Sequence, residues 1–210
     1  MSSKLRSIVA ISCFLLALCW LSPAASPQKD QRNQVEDPDE YAVYSAVLND
    51  RFSGEEVKRY VIALETNSDA KNAFIGYRHG LAPSGAKRPE VDPETSKDFE
   101  SKTRDASELA NKFTLPVPYL LVSEATLRKI FDNQKDGKPN EDAWHQFYKE
   151  YPGAPGAISF TRVAFNTKRN QALLYVAHQS DFLGGSGRFL VLSKVGNSWK
   201  IKEEVIMWLS

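Results

Sequence analysis

Residues 188–208 read RFLVLSKVGNSWKIKEEVIMW, and this stretch decides the fold. Gly196 and Asn197 separate two runs of alternating apolar and polar residues, and both tolerate the positive φ that a two-residue hairpin turn demands. In the first run Phe189, Val191 and Val195 share a face. In the second Trp199, Ile201, Val205 and Met207 do so, with Lys200, Lys202 and Glu204 opposite. An apolar residue at every second position marks a strand with one face buried. Ile206 and Trp208 lie on the otherwise polar face, which predicts that something also packs over the far end of the last strand.

Working outward from the hairpin, residues 158–165 and 171–179 read as two more strands, joined by 166–170, and a glycine-rich loop comes after them. The four segments predict a four-stranded antiparallel meander. Upstream, Pro38 opens a helix with Tyr41, Tyr44, Val47 and Leu48 on one face and Gly54 past its end. Residues 57–64 read as a strand, 70–77 as a short helix, and 80–93 as a Gly/Pro loop, either a lid or a connector. Asp92-Pro93-Glu94 is a helix start, and Phe99, Ala106, Leu109 and Phe113 carry that helix to about 112. A short strand at 119–122 and helices at 123–131 and 140–150 complete the series. Because the helices precede the meander, they can cover it without βαβ crossovers. The expected class is α+β, with helices packed on the four-stranded meander. The strand, glycine turn and Trp-led strand at the end also resemble the cone-shaped fold of the nuclear transport factor and polyketide cyclase type, which is the alternative that the resemblance implies.

The N-terminus points to export. Lys4 and Arg6 precede an apolar run over 8–21 in which Ser12 is the clearly polar residue, and Ser22 and Ala24 are small enough to flank a cut after Ala24. The run is shorter than the roughly 20 residues a spanning helix needs. Residues 1–24 are expected to be a cleaved signal, 25–37 a mobile leader and 38–210 one domain, periplasmic or secreted, with no stable membrane span left after cleavage. Both cysteines, Cys13 and Cys19, lie in the signal, so no disulfide, thiolate metal site or cysteine nucleophile is available to the rest of the chain. The chain has 27 basic and 26 acidic residues, and this near-neutral balance argues against a nucleic-acid partner.

Trp144-x-x-Phe147-Tyr148-x-x-Tyr151-Pro152, Ser159-x-x-x-Val163-x-Phe165-Asn166, Ala172-Leu173-x-Tyr175-Val176, the Gly184 to Gly187 loop and Leu192-x-Lys194-x-Gly196-x-x-Trp199 form a pattern over the C-terminal third. It resembles a set of uncharacterised exported bacterial proteins. The resemblance implies export and an α+β domain, and no known activity.

Candidate chemistry is sparse. His178 ends a strand beside Asp181, the glycine-rich turn and Arg188, and such a loop can offer backbone N–H groups and a guanidinium to an anion. A plain hairpin connection is the competing account. His145 sits at the edge of a solvated helix face, and His79 has no spaced partner; no zinc-ligand spacing occurs. Asp132-Asn133-Gln134-Lys135-Asp136-Gly137 approaches a calcium loop, but Ala143 stands where a bidentate Glu must close it. The aromatic stripe Trp144, Phe147, Tyr148, Tyr151 reads as core, with a glycan or peptide groove as the other use of such residues. The expected role is a non-catalytic binding or envelope-associated module with no metal or cofactor, its binding residues His178, Asp181 and Arg188, its partner a small molecule or an exported protein. Two alternatives are a metal-independent hydrolase or lyase using His178 and Asp181, and an inhibitor or immunity-type protein.

Overall fold

A computed structural model describes residues 33–70, 74, 89–131 and 141–210. The expected signal, the greater part of the leader and of the 80–93 loop, His79, all of the 70–77 helix except Ala70 and Phe74, and the Asp132 to Gly137 segment lie outside the described residues. The described helices are α1 (Pro38–Arg51), α2 (Pro93–Lys102), α3 (Glu124–Phe131) and α4 (Glu141–Glu150). The strands are β1 (Tyr60–Ala63), β2 (Tyr119–Val122), β3 (Ala157–Phe160), β4 (Ala164–Phe165), β5 (Gln171–Gln179), β6 (Gly185–Val195) and β7 (Ser198–Leu209). No described helix is long and apolar enough to cross a membrane.

The helix starts arise from local chemistry. Asp37 caps α1 by accepting the Asp39 N–H at 3.0 Å, with Pro38 in the first turn. Asp92 precedes α2 without capping it by its side chain; its Oδ2 instead accepts from the Asn166 amide at 2.7 Å. The helix expected to reach residue 112 stops at Lys102. Beyond it the Leu109 N–H is donated to the Leu64 carbonyl, 2.8 Å away, so this segment runs extended beside the end of β1. Packing also begins before Pro38: Val35 is buried, its N–H donated to Glu108 and its carbonyl accepting the Tyr41 hydroxyl at 2.8 Å.

The expected four-stranded antiparallel meander is corrected to a seven-stranded mixed sheet of order β2-β1-β3-β5-β6-β7, with β4 also paired to β5. β5, β6 and β7 are antiparallel as expected, while β1 pairs in parallel with both β2 and β3. The class remains broadly α+β. The segment read as one strand over 158–165 is broken between β3 and β4 by the carboxylate of Glu40, which is fully buried. Glu40 Oε2 accepts the Val163 N–H at 3.0 Å, and Arg162 meets the same carboxylate through Nε at 2.9 Å and Nη2 at 2.6 Å. A backbone donor given to a side chain cannot serve the ladder.

Two irregularities in the β6–β7 register change which residues share a face. Leu192 pairs with Ile201 but Val191 with Glu203, so Lys202 is an extra residue; Arg188 pairs with Ile206 but Gly187 with Trp208, so Met207 is another. Each extra residue reverses the alternation beyond it. Trp199 and Ile201 therefore pack against α1 on one face, whereas Val205 and Met207 pack on the other, contrary to the single apolar face read from strict alternation. The second bulge carries Trp208 to that other face as well.

Helix α1 covers the first face, with Tyr44, Val47 and Leu48 in a cluster that includes Ile62, Ile158, Phe160, Leu174, Leu190 and Trp199. The second face is covered twice. Phe99 of α2 and Phe74 pack on Leu173, Tyr175, Phe189 and Val205, while α3 and α4 pack on Val61 and Val122 through Ile130, Trp144, Phe147 and Tyr151. The aromatic stripe of α4 is thus core.

Candidate functional site

The two coverings of the second face leave a cleft of about 680 Å³ beside the strand ends, lined among others by Ala63, Ser159, Ala177, Phe131 and Trp208. Small side chains make the room. Ser159 pairs with Ala177, Ala177 with Gly187, and Gly187 with Trp208, so a row crossing β3, β5 and β6 has almost no bulk until it reaches the Trp208 ring. The ring lies over Gly187, where a Cβ would fall on both Trp208 Nε1 and Tyr175 Oη. The indole N–H is donated to that Tyr175 hydroxyl at 2.6 Å, which fixes the ring's place.

The polar rim is built from the segments just beyond the parallel strands. The Leu64 N–H is donated to Val122, and the Glu124 N–H at the start of α3 to Glu65 Oε2 at 2.8 Å, so residues 65–69 and 124–128 are held side by side. Ligands of open sheets commonly sit beyond the carboxyl ends of parallel strands, where successive connections diverge. The 65–69 segment is well anchored. Thr66 exchanges hydrogen bonds with Ser107, Asn67 donates its N–H to Phe160 at 2.7 Å, and Asn67 Oδ1 accepts from the N–H groups of Asp69 and Ala70. Arg128 reaches back one turn to Glu124, through Nε at 3.0 Å and Nη2 at 2.5 Å.

The residues singled out from sequence lie elsewhere. His178 packs on the Phe52 ring, centroids 5.0 Å apart, on the α1 face, and its Nε2 lies 2.9 Å from the Pro155 carbonyl, which can only accept. The ring nitrogen therefore carries the proton there. Burial pushes the His178 pKa below the ordinary value, and the nearby Arg188 charge pushes the same way against the Pro155 bond. Gly156 holds this contact with φ near +130°, where a Cβ would strike the Gln179 carbonyl and crowd His178 Nε2.

Arg188 points at Glu204, 2.8 Å from Nη1 to Oε1, and at the Ser186 hydroxyl, 2.8 Å from Nη2. Arg51 meets the other Glu204 oxygen at 2.7 Å. Asp181 is exposed in the β5–β6 turn, its Oδ1 accepting the next residue's N–H at 2.7 Å. No hydrogen bond joins any two of His178, Asp181 and Arg188, and none of the three lines the cleft. His145 is exposed on α4.

Sequence reading missed Glu65, Asp69, Phe131 and Ala177 as cleft residues. The one signal available was Trp208, an indole on a face that strict alternation makes polar. No family model, curated protein or solved structure matches the chain.

Proposed function

We propose that the protein is an exported binding module that receives a small molecule in the cleft beside Trp208. The observation that carries this reading is the pair of small residues Ser159 and Ala177, which floor a volume within the roughly 300–1,000 Å³ usual for ligand pockets, bounded by a hydrogen-bonded indole seated over Gly187. Carboxylates, amides and hydroxyls of Glu65, Asn67, Ser68, Asp69 and Gln179 surround that apolar floor, which is the mixture that orients a ligand. Export is supported by the basic start and apolar run over 8–21 with small residues after it. The bond of His178 to Pro155 and its packing on Phe52 favour a structural role over acid–base chemistry at that residue.

The test is a thermal-shift screen of the purified protein against a library of polar metabolites, run in parallel on Ala177→Phe, whose ring would occupy the floor. The expected result is at least one compound that raises the native protein's Tm and leaves the variant's unchanged, with matching circular dichroism spectra. Compounds that shift both proteins equally, or none that shifts the native protein, would overturn the assignment of the cleft.

A further inference from the structure

We infer that the cleft selects an organic cation, an ammonium or guanidinium group carried on an apolar body, and this class rests on the cleft being the ligand site. Among the described lining residues Glu65, Asp69 and Glu124 carry carboxylates and Arg128 carries the one cation. Arg128 is turned onto Glu124 of its own helix through two hydrogen bonds, so the guanidinium is directed at that carboxylate. Asp69 is exposed, and its backbone N–H is donated to Asn67 Oδ1 at 2.9 Å, so the backbone that carries its carboxylate at the rim is already ordered before binding.

The aromatic groups argue independently in the same direction. Trp208 and Phe131 both line the cleft. The indole N–H of Trp208 is already given to Tyr175, so the ring offers a ligand its carbon surface and no donor. Ring surfaces attract cations, Trp most strongly, and more so where water is excluded. An anion would meet the exposed Asp69 carboxylate at the rim, with the one cation among the described lining residues already engaged by Glu124. A neutral polyol would stack on the rings and take hydrogen bonds, but would gain nothing from the charge.

Isothermal titration of the purified protein with choline, agmatine, the neutral carbon isostere of choline, and glucose separates these cases. The expected result is binding of choline or agmatine, at least about tenfold tighter than the neutral isostere, weakened several-fold by Asp69→Asn and by raised salt, and abolished by Ala177→Phe. Isostere or glucose binding that equals the cations' and is lost in Ala177→Phe overturns the charge argument while leaving the cleft in place. Cation binding that survives Ala177→Phe overturns the cleft as its location. Absence of binding by both cations overturns the inference about class, and the metabolite screen then decides the cleft by itself.

Discussion

Replacing Glu40 by Ala tests the account of why the sheet is broken between β3 and β4. Glu40 is fully buried and its carboxylate takes both Arg162 bonds and the Val163 N–H, with Lys102 Nζ 3.6 Å away. Removing one member of a buried pair costs about 3–5 kcal/mol, since the other charge is stranded. The Arg162 side chain keeps 18% exposure, so water relieves part of that and the lower end applies. The Val163 N–H left without an acceptor adds about 1–3 kcal/mol. The expected loss is about 4–6 kcal/mol out of a typical 5–15. For a chain of this size that corresponds to a Tm lower by about 10–20 °C, read by circular dichroism in a heat ramp and checked by urea titration. Glu40→Gln keeps an oxygen for Val163 and should lose clearly less. A Glu40→Ala protein melting within about 3 °C of the native one would refute the reasoning, because the carboxylate would then be a passenger of the chain break and not its cause.

Two further outcomes are expected from the same geometry. Because burial lowers the His178 pKa in the folded protein, the unfolded chain binds the proton first as pH falls below 6.5. Stability should therefore decline from pH 6.5 downward until the folded imidazole also takes a proton. His178→Gln should flatten that part of the pH profile of ΔG, and an unchanged slope would show that the ring is not held neutral. Gly187→Ala places a methyl where Trp208 and Tyr175 meet; it should displace the indole, shift tryptophan emission and weaken any cleft ligand, and native-like emission with native-like binding would contradict the placement of Trp208.

Much of the local structure could be read from short-range chemistry. Pro38 behind Asp37, Pro93 at the head of α2 and Ser123 at the head of α3 mark helix starts that occur where the sequence places them, because a capping side chain at Asp37 and Ser123 and a preset φ at the two prolines act within a few residues. The Gly196-Asn197 turn and the long strands beside it are legible for the same reason. The strand at 119–122 was visible too, but its parallel partner was not. A four-residue run with no alternation says nothing about which distant run it will meet.

What the amino-acid order determined by itself is therefore where three helices begin, where several strands run, the late hairpin, a chain without cysteine after residue 19, and the oddity of Trp208. Only the tertiary structure decided the mixed sheet, the faces of β7 and the cleft. Glu40 breaks a strand from far along the chain, and two extra residues in β7 reverse its alternation when it pairs with β6. The cleft arises because small residues on β3 and β5 come side by side, next to a glycine of β6 that seats the Trp208 ring at its edge. Each depends on how a strand pairs or packs with its neighbours, which is fixed by the packing of whole faces and which no local pattern encodes.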